Sequence, residues 1–460
     1  MKKTKVIILG GGLTGLATAY KLSKLNIDFV LLEKSDRVGG VIKTVHEKGF
    51  MYETGPNTGI IGSPELAELI EDLHDDLDLQ IGKKAVKRRF ILKDGKWAAL
   101  PSGPVSAVGT PLFSLTDKFR ILGEPFRRRG TDPNETLAQL VKRRMGKSFL
   151  SYAIDPFILG VYAGDPSLLV TRAAFPKLYA LEQNYGSFIG GTLKKKKEGK
   201  SAREAKATRD VFSFKGGLEQ LIMSLEKHSG KDRVLTNVDN TIITKQKGKY
   251  QIAASQNGES VHFESDILIS SLNAPHLENS MFQFLEAESL DPIKAVSYTP
   301  TVEVVLGFNK WTGRPLDAFG GLIPHCEGRQ LLGVLFLSAF LPERAPEGGA
   351  LLTIFMGGVR NPKWIKASDE EIKNQVKEDI MDLMDLKTFD PDLLKIFRHN
   401  GAIPQYSFES DNKMARISQL EKLHPNFIIG GNALDGIGIA DRVKQGYHLA
   451  DKAVKLLEDK

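Results

Sequence analysis

One cysteine, Cys326, in 460 residues excludes an internal disulfide, a thiolate zinc site and a cysteine-ligated iron–sulfur cluster. So little cysteine points to a reducing compartment. The nine histidines are scattered, with no pair at metal-ligand helical spacing, so no metal is expected. No apolar run approaches the roughly twenty residues of a spanning helix. The apolar run 6–19, VIILGGGLTGLATA, carries glycines that a signal sequence does not need, and no cleavage site follows. The chain is therefore expected to be soluble or to sit on a membrane surface. Its net charge of +7 is ordinary solubility charge or the mark of an acidic partner. Nucleic acid is not expected, because the charge lacks a stripe of interleaved aromatics. The length implies about two or three domains.

What is present begins at the N-terminus. Lys5 to Leu9 reads as a β-branched strand, and Gly10-Gly11-Gly12-Leu13-Thr14-Gly15 follows it. A helix with Leu16, Ala19, Tyr20 and Leu22 at helical spacing comes next, then a second strand, Phe29 to Leu32, ending in Glu33. This is a strand–turn–helix–strand start with Gly-x-Gly-x-x-Gly at Gly10, Gly12 and Gly15. Gly10 permits the tight turn, Gly12 lets the backbone approach a pyrophosphate, and Gly15 lets helix and strand pack closely. The helix N-terminus offers amides and a positive dipole end to phosphate. A carboxylate at Glu33 can accept both ribose hydroxyls and would repel a 2′-phosphate, so NADP is disfavoured. NAD and FAD are not separated by this stretch alone.

The following residues separate them. Glu33-Lys34-Ser35-Asp36-Arg37-Val38-Gly39-Gly40 and then Tyr52-Glu53-Thr54-Gly55-Pro56 resemble the amine-oxidase and protoporphyrinogen-oxidase superfamily of flavoproteins. In that superfamily Arg-x-Gly-Gly borders the FAD pyrophosphate and the flavin, and a Gly-Pro turn passes the isoalloxazine ring. The C-terminal strand, glycine turn and helix from Phe427 through Gly430-Gly431-Asn432 to Gly438-Ile439-Ala440 resembles the same superfamily, whose last helix points at the pyrimidine end of the flavin. A positive dipole end there favours the reduced form. Val238 matches the strand whose backbone meets the adenine. The resemblance thus implies non-covalent FAD on Gly10, Gly12, Leu13, Thr14, Gly15, Glu33, Lys34, Arg37, Gly39, Gly40, Gly55, Pro56, Asn57, Val238, Gly431, Asn432, Gly438, Ile439 and Ala440.

Within the superfamily, four stretches resemble the protoporphyrinogen/coproporphyrinogen oxidase family. They are 155–166, DPFILGVYAGDP; Arg172-Ala173-Ala174-Phe175-Pro176; Ile403-Pro404-Gln405-Tyr406; and Gly430-Gly431-Asn432 with Gly436-Ile437-Gly438. No lysine of the amine-oxidase type stands after the strand Val302 to Phe308. The fold implied is α/β and α+β: a discontinuous Rossmann-type FAD domain (1–75, 206–272, 406–460), a mixed-sheet substrate domain (76–100, 273–405) and a helical insertion (101–205). The activity implied is O2-dependent oxidation of protoporphyrinogen IX, with flavin N5 doing the chemistry and no catalytic side chain. Coproporphyrinogen III oxidation is the alternative. An amine oxidase, a carotenoid-type desaturase and a non-catalytic FAD-binding module rank lower.

The stretch 86–103, VKRRFILKDGKWAALPSG, bears on the substrate. It reads as two strands around a Lys-Asp-Gly-Lys turn, and Arg88 and Arg89 must point to opposite faces. Arg89 matches the arginine that meets a propionate in protoporphyrinogen oxidases, with Arg88 as its solvent-facing neighbour. Gly160, Gly164, Leu322 and Phe336 are the candidate walls of an apolar cleft for a tetrapyrrole with propionates. Apolar residues such as Phe113, Phe119, Leu122 and Phe126 beside Arg127-Arg128-Arg129 and Lys194 to Lys197 suit peripheral contact with an anionic membrane. The competing expectation is a helical subdomain with a disordered basic loop at 194–209. The location implied is cytoplasmic, on the inner face of the cell membrane, and a homodimer is allowed.

Overall fold

The strand Lys2–Leu9 feeds two cores. Val6 and Ile8 face one, Ile7 and Leu9 the other, and none is more than 4% exposed. A strand buried on both faces belongs inside a parallel sheet that is covered on each side. That is its place in a computed structural model of the chain, which describes residues 1–82, 88–197, 199, 201–406 and 410–459. Parallel ladders join Lys2–Leu9 to Phe29–Leu32 and Glu259–Ser270. Val234–Leu235 and Phe427–Ile429 extend the parallel row outward. The antiparallel strands Val238–Gln246 and Lys249–Gln256 complete a Rossmann-type sheet drawn from three separated stretches of chain. Helices Leu13–Lys24, Glu219–Ser229 and Ile439–Glu458 cover its Val6 face.

A second, mixed sheet runs in the order Leu393–Pro404, Tyr298–Phe308, Ala350–Gly357, Leu331–Phe336, Gly320–Leu322, Arg89–Lys93, Lys96–Ala99. Helix Asp369–Leu383 presents Ile372, Val376, Ile380 and Leu383 to one face, a helical stripe packed against Phe90, Val334, Phe336 and Ile354. The mixed α/β architecture expected from the sequence is thus observed. Val86 and Lys87 lie outside the described residues.

The described residues of 101–205 form short helices joined by loops. Their centre is Arg144, which is 0% exposed and bonds Glu124 (2.5 Å) and Glu182 (2.5 Å). The disordered basic loop expected at 194–209 is corrected in part. Lys194 to Lys197 form the last turn of helix Phe188–Lys197, and Ala202–Ala205 is helical too. Phe188 and Gly191 bury one side of that helix, and Gly191 sits close against Leu181 and Tyr185. Lysines also suit the negative end of a helix. Residues 198 and 200 lie outside the described residues. No helix among the described residues is long and apolar enough to cross a membrane.

Two smaller sheets, one of Thr44–Glu47 and Phe50–Glu53, the other of Gly59–Ile60, Val211–Phe214 and Leu79–Ile81, are joined by buried polar contacts. Arg344, 1% exposed, donates to Glu53 (3.1 Å) and Ser213 (2.5 Å). Glu53 also accepts from Leu218 N (3.0 Å) and Thr44 Oγ1 (2.7 Å). Burial pushes the Glu53 carboxyl up, against the pull of Arg344. Arg344→Met strands that carboxylate and should cost about 3–5 kcal/mol, read as a fall in the urea midpoint. Adding Glu53→Gln should restore part of the loss, since the two substitutions touch one interaction.

Candidate functional site

The glycine turn is shaped by close approach. Gly10 has φ +96°, and a Cβ on Gly15 would lie 2.0 Å from Gly10 O. A Cβ on Gly12 would meet nothing within 4 Å, so this backbone faces open space. Gly12 is the N-cap of Leu13–Lys24 and supplies no side-chain cap, and the first turn holds no acidic residue. Its amides are left for an external anion. The Arg-x-Gly-Gly element closes on the same turn: Gly39 N donates to Gly11 O (2.7 Å), and a Cβ on Gly40 would lie 3.5 Å from Gly12 Cα. Glu33 accepts from Gly11 N (2.6 Å) and Ser35 N (2.8 Å), which fixes both loops and leaves lone pairs free. This cradle fits a dinucleotide.

Some expected contacts have other work. Arg37 donates to the carbonyls of Val38, Gly40 and Ile42, so it positions the loop. Lys34 is exposed. The Val238 N–H donates to Glu33 O (2.9 Å), and its side chain is buried in the core, so only its carbonyl is left for a base. Asn57 is committed inside the protein: its amide donates to Gly55 O (3.1 Å) and Glu303 (2.9 Å) and accepts from Thr353 (3.0 Å). It docks the Gly55-Pro56 turn onto the second sheet. Gly55 leaves no room for a side chain, since a Cβ would lie 2.2 Å from Val41 O.

The C-terminal loop completes the cradle. Gly431 (φ +108°) abuts Leu272 O, and Leu272 also touches Gly10. Asn432 accepts from Tyr298 Oη (2.7 Å) through its side chain and from Tyr406 Oη (3.1 Å) through its carbonyl. Gly438 is the N-cap of Ile439–Glu458, whose Ile439 and Ala440 are buried. Ala440 contacts Gly62.

Register decides which side chains share the substrate-side face, because in-register residues of neighbouring strands point the same way. One row reads Ile91, Leu322, Gly333, Phe355, Glu303. The next reads Arg89, Gly320, Leu335, Thr353. Arg89 therefore shares a face with Leu322 and with the residues that hold Asn57. It is exposed, with its guanidinium 5.9 Å from the Phe319 ring centre, while Arg88 pairs with Asp317 at 3.2 Å. Gly160 closes over this face, since a Cβ on it would lie 2.3 Å from Leu322 Cδ2. Gly164 makes room for Gln405, whose amide donates to Tyr162 O (3.1 Å).

Phe336 is corrected. It is 0% exposed, in the core under helix Asp369–Leu383, on the opposite face from Leu322. Side-chain parity places Leu335 and Phe355 on the face that carries Leu322 instead. Leu335 was missed because Leu331 to Phe336 is an apolar run with a register shift between Leu331 and Gly333, and Phe355 because it lies in another largely apolar strand, Ala350–Gly357. The block 155–166 is clamped by Arg360, which bonds Asp155 (2.6 Å) and Asp165 (2.8 Å).

Comparison with known proteins agrees with this geometry. The model of the flavin-containing amine oxidoreductases matches residues 13–453. Protoporphyrinogen oxidase 2 of Arabidopsis thaliana is 30% identical, over 99% of this chain and 94% of its own length. Coproporphyrinogen III oxidase of Bacillus subtilis (strain 168) is 26% identical over 99% of each. The crystal structure of a candidate protoporphyrinogen oxidase from Exiguobacterium sp. 255-15 shares the fold, with TM-score 0.79, 22% identity and 99% coverage of each chain.

Sequence reading also missed Lys413. It is 1% exposed, its ammonium donates to Ala433 O beside the C-terminal loop, and burial pushes it down to about 8. Its folded value lies below the ordinary 10.5, so the unfolded chain binds the extra proton between the two. Stability should therefore rise from about pH 8 to about pH 10.5 through this group. Lys413→Met should flatten that rise in melting temperature against pH.

Proposed function

The chain belongs to the flavin-containing amine oxidoreductase family, and on that premise we propose that it binds FAD non-covalently and oxidises protoporphyrinogen IX to protoporphyrin IX with O2. The observation that carries this reading is the shared sheet face: Arg89 stands in the row next to Leu322, and Gly160 closes over that leucine. This is a slot for a flat apolar body with a carboxylate at one end. Bound flavin supplies the acceptor for hydride from a meso carbon and returns the electrons to O2 as hydrogen peroxide, three rounds removing six electrons.

The chain's own residues position the reactants. The Gly12 backbone and the first turn of Leu13–Lys24 take the pyrophosphate. Glu33 takes the ribose hydroxyls with its remaining lone pairs. Leu322, Leu335 and Phe355 exclude water, and Arg89 pairs a propionate in charge-assisted geometry. Glu303, the carboxylate on this face, is occupied by Asn57, and no side chain is assigned as general base. Orientation in a shaped apolar site is the protein's contribution.

A second reading, coproporphyrinogen III oxidation, rests on the full-length similarity to the Bacillus subtilis enzyme. The two differ in propionate number, two against four. Porphyrin fluorescence in air with FAD-loaded protein separates them: faster turnover of protoporphyrinogen IX supports the first, of coproporphyrinogen III the second. Neither exceeding the spontaneous rate rejects both. Arg89→Ala should raise KM for the preferred substrate about tenfold, some 1.4 kcal/mol, with kcat little changed. An unchanged KM removes Arg89 from the site.

We also propose peripheral contact with an anionic membrane, on the cytoplasmic face. Val105, Val108, Leu115, Phe119, Leu122 and Phe126 are 68–90% exposed on neighbouring short elements, and Arg128 and Arg129 stand exposed beside them. Apolar side chains so exposed favour burial at a headgroup boundary, with basic residues on anionic lipid. Sedimentation with phosphatidylserine vesicles should carry the protein down, and Phe119→Ser with Phe126→Ser should weaken that several-fold. Equal sedimentation of the variant would reject the patch.

A further inference from the structure

Arg442 is only 9% exposed and lies in the first turn of helix Ile439–Glu458. One Nη donates to Gln445 Oε1 (2.8 Å), which also accepts from Gly431 N (2.9 Å). Its Nε and other Nη have no hydrogen-bond partner among the described residues. Two carboxylates lie near enough to attract it without bonding its free N–H groups: Asp441 caps Gly438 N (3.1 Å) and Asp435 accepts from Gln445 (3.1 Å). Tyr298 and Tyr406, also close, donate to Asn432.

Each of these placements is unfavourable by itself. A buried guanidinium without its hydrogen bonds is costly. A cation in the first helical turn also opposes the helix dipole. An anion in front of that turn reverses both, because it pairs the free N–H groups and suits the positive helix end. The glycine turn at Gly12 already provides for a pyrophosphate. The negative charge still without a counter-charge is the one that a reduced flavin carries near N1.

We propose that Arg442 is the counter-charge for the pyrimidine end of the reduced flavin, and so sets how readily the bound flavin takes up electrons. The inference rests on the flavin premise and not on the choice of substrate. Arg442 is a binding residue that acts by charge, with Gln445 holding it against the Gly431 turn.

The test uses full-length protein, wild type and Arg442→Met, with Arg442→Gln should the methionine variant fail to accumulate. Three quantities are read: melting temperature without flavin and with saturating FAD, the dissociation constants of FAD and ADP, and the midpoint potential of the bound flavin. The expected result has three parts. The flavin-free variant melts at or above wild type, because a buried unpaired charge is gone. The affinity of ADP, which carries the pyrophosphate and adenosine but no flavin, is unchanged. The potential falls by about 30 mV or more, the two-electron equivalent of a tenfold weaker hold on the reduced form. An unchanged potential overturns the proposal, whether flavin-free melting falls (a structural arginine) or FAD and ADP affinities fall together (a pyrophosphate ligand). A wild type that takes up no flavin overturns it together with the premise. Protein that binds flavin but oxidises neither porphyrinogen sinks only the substrate reading.

Discussion

The second sheet is held to the turn at Gly55-Pro56-Asn57 by buried polar contacts. Apolar packing alone would let that turn slide over the sheet, because the hydrophobic effect is non-directional. Asn57 does not allow that. Its side chain has fixed donor and acceptor ends, and it meets Glu303 with one and Thr353 with the other. Glu53 and Arg344 repeat the arrangement deeper in. Such contacts add little net stability but are costly to half-break, so they hold the Gly55-Pro56 turn in one register against the second sheet.

The recognisable motifs turn out to be one chain of contacts. The block 155–166 is a helix whose two flanking aspartates share Arg360. The helix end is bonded by Gln405 through Tyr162 O, in space that only glycine at 164 leaves open. The next residue, Tyr406, donates to Asn432 O, and Asn432 follows the Gly431 turn against Leu272. The block 155–166, the second sheet and the Gly431 turn are linked without interruption. A change at one link moves the next.

Much of this was legible because it rests on rules that act locally. Gly10, Gly12 and Gly15 announce a turn, an open backbone and a close approach, and each is found. Arg89 and Ile91 share a face by parity alone. Parity also explains the failure. Leu331 to Phe336 is apolar throughout, so it gives no alternation to read, and a register shift inside it decides that Leu335 faces the cleft and Phe336 the core. Phe355 was hidden by the same uniformity in Ala350–Gly357. Arg442 and Lys413 escaped because a cation on an amphipathic helix normally marks the solvent side. Only the packed structure shows them buried.

Those two cations, with Arg89, define the electrostatics. Arg89 stands exposed at the edge of the substrate face, and Arg442 and Lys413 lie buried around the Gly431 to Ala433 turn. Between them the in-register rows supply Leu322, Leu335 and Phe355, and one carboxylate, Glu303, already tied to Asn57. On the proposed reading, with Glu303 tied to Asn57, selection rests on the length of an apolar body and on whether a carboxylate reaches Arg89, not on acid–base chemistry. In a poorly solvated interior the buried Arg442 acts at greater strength than in water, whereas the exposed Arg89 is screened by solvent. Position along the slot, rather than proton transfer, is then the variable that the fold controls.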